Sequence, residues 1–117
     1  MEATIKEWFK TAPIAEFNEN GGTAILYKDK QIAVFHFHKT NEWFASQNSC
    51  PHKMEMVLSR GLIGDKDGEH KVACPLHKNN FSLQTGKCLT TKGLDIEVYP
   101  VKIIDGYVYI GITESLQ

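Results

Sequence analysis

Two cysteines and two histidines stand in closely similar frames, SCPHK at residues 49–53 and ACPLHK at residues 73–78. Cys50 and His52 are one residue apart in the first frame, and Cys74 and His77 two residues apart in the second. Thiolate and imidazole are soft-to-intermediate ligands, so four of them on two short segments point to a metal centre. A structural zinc accepts two Cys and two His, but its usual frames pair like ligands about two to four residues apart, which the mixed pairs fit less well. A centre of two irons and two sulfides with mixed ligation needs two thiolates on one iron and two imidazoles on the other. Two loops closing from opposite sides, each giving one Cys and one His, supply that set. Pro51 and Pro75 follow the cysteines directly, fixing φ and removing an N–H donor beside each inner ligand.

Such loops need strands to carry them, and alternation is the dominant pattern of the chain. Ala24 to Tyr27, Gln31 to His38 and Glu42 to Gln47 read as a β-meander joined by the turn-forming runs KDK and KTN. After the first frame, Ser59 to Gly64 and Lys71 to Ala73 flank DKDGEH, whose Asp67-Gly68 is a strong hairpin signal. Phe81 to Leu83, a turn at Thr85-Gly86, a long strand from Ile96 to Ile104, and Tyr107 to Ile112 after Asp105-Gly106 complete the set. Glu2 to Lys10 fits either a turn of helix or an edge strand, and no stretch reads as a long helix. Many short strands with Gly and Asp turns imply an all-β sandwich or barrel-like fold.

The totals bound the function. A chain of 117 residues makes one domain, residues 1–117, with a single core. Apolar residues at 42% and charged residues at 23% are ordinary globular usage, and a net charge of −1 gives no electrostatic case for nucleic acid. The start MEATIKEWFKTAP has neither a secretory pattern nor a membrane-spanning run, so a cytoplasmic location and no membrane partner are expected. Three cysteines in a reducing compartment argue for metal or redox chemistry, or inert thiols, over a disulfide framework.

CPH followed by CPLHK and then FSLQTGKC resembles the Rieske family, with the motifs covering about residues 48–91. The run VLSRGLIGDKDGEHKVACPLHKNNFSLQTGKCL and the ending IEVYPVKIIDGYVYIGI are most similar to the small subunits of assimilatory NAD(P)H-dependent nitrite reductases. The resemblance implies a Rieske-type antiparallel β-sandwich with a two-loop cluster-binding subdomain. It implies a [2Fe–2S] cluster on Cys50, His52, Cys74 and His77, and one-electron transfer as an accessory subunit in nitrate assimilation. The implied partner is a large subunit with FAD, siroheme and NAD(P)H, reducing nitrite to ammonium. Many small subunits of this kind have lost the four ligands, whereas this sequence keeps them all. Respiratory Rieske proteins carry a disulfide where this chain has Glu55 and Leu76, and Ser and Tyr hydroxyls where Asn79 and Phe81 stand. Fewer hydrogen bonds to sulfur imply a potential in the lower part of the Rieske range. The alternatives are a free Rieske ferredoxin serving an oxygenase or another redox protein, and a structural subunit holding zinc or no metal.

Other candidates read more plainly. Cys88 is expected as a small core residue. His36 and His38 alternate with Phe35 and Phe37 and are expected on the polar face of a strand, while His70 carries no partner signal. Lys53 and Lys78, next to the two histidines, could meet an acidic partner surface or be solvated. Most of Trp8, Trp43, Phe44, Tyr107 and Tyr109 are expected in the core. No nucleophile with a base, phosphate loop or carboxylate pair appears, so the isolated chain is not expected to be catalytic.

Overall fold

The structure is a computed structural model that describes residues 5–51, 55–76 and 79–113. Twelve strands follow in order: β1 Ile5–Pro13, β2 Gly21–Tyr27, β3 Lys30–Phe37, β4 Glu42–Gln47, β5 Ser49–Cys50, β6 Glu55–Met56, β7 Leu62–Lys66, β8 Glu69–Ala73, β9 Asn80–Ser82, β10 Val98–Tyr99, β11 Val101–Ile104 and β12 Tyr107–Thr113. The only helical segments among the described residues are two short 3-10 turns, Ile14–Glu16 and Leu58–Arg60. No helix of the described residues is long and apolar enough to cross a membrane.

The meander closes as expected into a central antiparallel sheet of order β10-β4-β3-β2. Its two faces bury different cores, because successive strand side chains point opposite ways. Ile32, Val34 and Ala45 face a first cluster with Val108, Ile110 and Ile112 of β12, in the sheet β1-β12-β11. Ala33 and Phe35 face a second cluster with Leu58, Val72, Phe81, Leu83, Cys50 and Cys74. That second layer is built by the sheet β7-β8-β9 and the two-stranded stem β5-β6. Asp67 and Gly68, at φ of 53° and 84°, turn β7 into β8, and Asp105 and Gly106 do the same between β11 and β12, as their dipeptides require.

The segment near the start is the edge strand β1, paired with β12. The long strand expected from Ile96 to Ile104 is instead two strands in two sheets. Val98 and Tyr99 pair with Ser46 and Ala45 of β4, and Val101 to Ile104 pair with β12. Pro100 marks the switch, having no N–H to continue the first ladder, while its carbonyl accepts Gly111 N–H at 2.8 Å. Ser59 lies in the second 3-10 turn, so β7 begins only at Leu62.

Candidate metal centre

Each cysteine sits on the stem of a hairpin loop. Cys50 ends β5 and pairs with Glu55 of β6. Cys74 follows β8, and its N–H donates to the carbonyl of Asn79 at 2.8 Å, just beyond the register pair Ala73 and Asn80. His52 and His77, with Lys53 and Lys78, lie outside the described residues. Cys50 and Cys74 are 0% and 1% exposed and both belong to the second apolar cluster, away from water. None of the three cysteines is in a disulfide. Among the described residues no group of three or more His, Cys, Asp or Glu is placed to hold a metal ion.

The stems are held by polar side chains that have no ligand-like spacing. Asn48, 1% exposed, accepts Ser59 N–H on Oδ1 at 2.8 Å and donates Nδ2 to Gln31 Oε1 at 2.9 Å, while its carbonyl accepts Leu58 N–H at 3.0 Å. It ties the 3-10 turn behind the first loop to β3. On the second stem, Asn79 Oδ1 accepts from the hydroxyls of Thr90 and Thr91 at 3.1 and 2.9 Å. Gly61 permits the stems to pack, because a Cβ there would stand 2.2 Å from the Ala73 carbonyl and 2.8 Å from Val72 Cγ2. A turn residue in the neighbouring sequence is the only local sign of such a support.

The remaining candidates fall elsewhere. Cys88 is half-buried rather than fully in the core, with its sulfur accepting Thr91 N–H at 3.3 Å. His36 is not on a solvated face. It is 4% exposed, stacked on Trp43 at 3.8 Å and 9°, with Phe17 edge-on to the same indole. Burial lowers its pKa below the ordinary histidine value, with a weaker opposing pull from the Asn41 side chain. His38 is exposed, as expected. His70 does have a partner: its Nε2 is 3.0 Å from Glu42 Oε1, and its ring lies between Phe37 and Phe44 at 4.5 and 5.0 Å. Trp43 and Phe44 pack against the cores, whereas Trp8 and Tyr107 are half-buried beneath Lys102 and Lys10, each ammonium 4.1 Å from its ring centre. Burial first, and then the Glu97 carboxylate, hold the Tyr99 hydroxyl well above its ordinary pKa.

The model of the Rieske-like [2Fe-2S] domain family matches residues 7–111. Nitrite reductase [NAD(P)H] of Emericella nidulans is 38% identical over 109 residues, covering 89% of this chain and 9% of that one. The nitrite reductase (NADH) small subunit of Escherichia coli (strain K12) is 32% identical over 106 residues, 91% of this chain and 98% of that one. The anthranilate 1,2-dioxygenase ferredoxin subunit of Burkholderia cepacia is 35% identical over 95% and 97% of the two chains. The solution structure of the E. coli protein NirD superposes with a TM-score of 0.79 at 33% identity, covering 89% of this chain and 94% of that one. The all-β antiparallel architecture is thus that of these structures.

Proposed function

Because the chain belongs to the Rieske-like [2Fe–2S] domain family, we propose that Cys50 and Cys74 hold one iron of a [2Fe–2S] cluster and His52 and His77 the other. The observation that supports this is the pair of buried sulfurs, one on each stem, in a common apolar cluster. Two thiols with no disulfide between them and almost no water access fit the inner end of such a group. When bound, the cluster supplies one reversible electron per turnover. The chain's own part is to hold the sulfurs at fixed separation, keep water from them behind Phe81, Val72 and Leu58, and offer hydrogen-bond donors around them. In this reading residues 1–117 are one domain and about 48–91 its cluster-binding portion.

The function that fits best is one-electron transfer as the small subunit of an NAD(P)H-dependent nitrite reductase. The large partner would carry FAD, siroheme and the NAD(P)H site and reduce nitrite to ammonium. Near full-length likeness to a small subunit, and likeness to a short part of a longer nitrite reductase, both support it. Likeness to a dioxygenase ferredoxin subunit along its whole length favours a second reading, a free ferredoxin delivering electrons to an oxygenase.

The test is iron, sulfide and zinc analysis with EPR of the dithionite-reduced chain, for wild type and for Cys50→Ser and Cys74→Ser. About two irons per chain and a rhombic signal of low average g are expected in the wild type, and neither in the variants. Zinc or no metal in the wild type would refute the cluster. Reduced chain re-oxidised by a siroheme-bearing large subunit plus nitrite favours the first reading; re-oxidation by an oxygenase plus dioxygen favours the second.

A further inference from the structure

The sheet β1-β12-β11 turns one face to the first core, where Val108, Ile110 and Ile112 are buried. Side chains alternate along a strand, so Tyr107 and Tyr109 stand on the opposite, outward face with Gly111. The register sets Trp8 beside Gly111, Lys10 and Lys102 on either side of Tyr109, and Ile104 beside Tyr107. Lys10 and Ile104 are exposed, and Trp8, Lys102, Tyr107 and Tyr109 are half-buried. Among the described residues no carboxylate shares this face. The three strands carry a single one, Glu7, which is in register with the inward Ile112 and accepts the Tyr27 hydroxyl at 2.8 Å. Asp105 stands in the turn beyond Ile104.

The two cations are also aimed. Lys10 Nζ lies 4.1 Å from the Tyr107 ring centre, and Lys102 Nζ 4.1 Å from that of Trp8. Lys102 is on β11 and Trp8 on β1, and Gly111 on β12 between them has no side chain to obstruct the reach. The rings thus hold the ammoniums over different rows of the sheet. Tyr107 and the Gly111 row of Trp8 are about 13 Å apart along β12 at the rise of an extended strand. A ring takes one side of each ammonium, which leaves N–H donors for an acceptor outside the chain.

A protein surface with carboxylates at about that spacing fits this face better than a nucleic acid does. Single strands stack their bases on open aromatic faces, whereas here the ammoniums cap the rings of Trp8 and Tyr107. Two phosphate contacts also release few counterions. Half-buried aromatic side chains beside cations with no acid among them are the anchor chemistry of a protein interface, with the charges selecting an acidic partner.

We propose that this face docks an acidic surface of the large redox subunit. Lys10 and Lys102 pair with its carboxylates, and Trp8, Tyr107 and Tyr109 are the apolar anchors. The proposal rests on the small-subunit reading above. The central sheet lies between this face and the second core that holds Cys50 and Cys74, so docking here leaves the cysteine side uncovered. A subunit that stays with its partner can then be held by one surface and exchange its electron through another.

The test is the affinity of the iron-loaded chain for the siroheme-bearing large subunit, by titration calorimetry, for wild type and two charge-matched double variants. Lys10→Glu with Lys102→Glu is expected to weaken binding roughly tenfold or more. Lys39→Glu with Lys87→Glu, exposed lysines away from this face, should stay within about twofold of wild type. Wild-type affinity in the first variant, or equal weakening in both, would overturn the proposal. Should the first variant fail to fold or load, lysine acylation of the wild-type chain decides: Lys10 and Lys102 are expected to be protected in the complex, and labelling as fast as in the free chain overturns the proposal. A wild-type chain that joins a second copy or a single-stranded oligonucleotide through these lysines, and binds the large subunit without protecting them, also overturns it. No binding of wild type to the large subunit would instead overturn the small-subunit reading, and the proposal with it.

Discussion

Replacing Asn48 with Ala tests whether the first loop depends on a staple beneath it. The residue is 1% exposed, and its side chain joins Ser59 N–H to Gln31 Oε1 through bonds of 2.8 and 2.9 Å. Truncation removes two hydrogen bonds worth about 1 kcal/mol each. It also leaves the Ser59 N–H without an acceptor where water has little access, a further cost of about 1–3 kcal/mol. Gln31 is exposed and regains water, so its end adds little. The sum is roughly 3–5 kcal/mol, a large share of the about 5–15 kcal/mol that stabilises an ordinary domain. Urea titration of wild type and variant matched for iron content should show a lower midpoint at unchanged slope. The companion Gln31→Ala leaves Asn48 Nδ2 without its acceptor, about 1–3 kcal/mol, but spares the Ser59 bond and should cost less than Asn48→Ala. Asn48→Ala within 0.5 kcal/mol of wild type (about the scatter of an ordinary surface substitution), or Gln31→Ala costing as much as Asn48→Ala, would refute the reasoning.

Gly61→Ala should destabilise by about 1–3 kcal/mol and lower iron retention, since its Cβ meets the Ala73 carbonyl at 2.2 Å and must displace the strand leading into Cys74; unfolding and iron content after gel filtration check it, and wild-type values for both would exclude the clash. His36 makes the fold acid-sensitive: its folded pKa lies below the unfolded value of about 6.5, so its contribution is intact above that pH and is lost as pH falls through the folded pKa, with a slope of at most about 1.4 kcal/mol per pH unit. His36→Phe keeps a ring on Trp43 without the titration, so variant minus wild-type stability should rise between pH 7.5 and 5; a constant difference would exclude His36 as the source.

The parts of the fold that were legible in sequence are those whose cause is local. Asp67-Gly68 and Asp105-Gly106 declare their turns because few residues accept positive φ, and both turns are where the dipeptides stand. The two similar frames are a local signal, and Cys50 and Cys74 do stand at the strand ends that the neighbouring alternation announces. Alternation in QIAVFHFH gave the strand but misassigned His36, since in a strand covered on both faces the period says which layer a residue enters and not whether it meets water. The break at Pro100 leaves no change in pattern, because a chain that changes sheets keeps β-forming residues on both sides. Asn48 with Ser59 and Gln31, and His70 with Glu42, pair residues far apart in the chain and leave no local trace.

Those hidden residues explain how Cys50 and Cys74 are held in place. Each Cys is a stem residue, fixed by strand pairing or by a backbone bond across the stem, and each stem has its own polar support: Asn48 below the first, Asn79 with Thr90 and Thr91 beside the second. The stems meet through Phe81, Val72 and Leu58, all 0% exposed, so neither sulfur can move without disturbing that core. Were iron bound as proposed, folding would bear the cost of ordering the two thiols, and the free energy of ligation would not be consumed in assembling them.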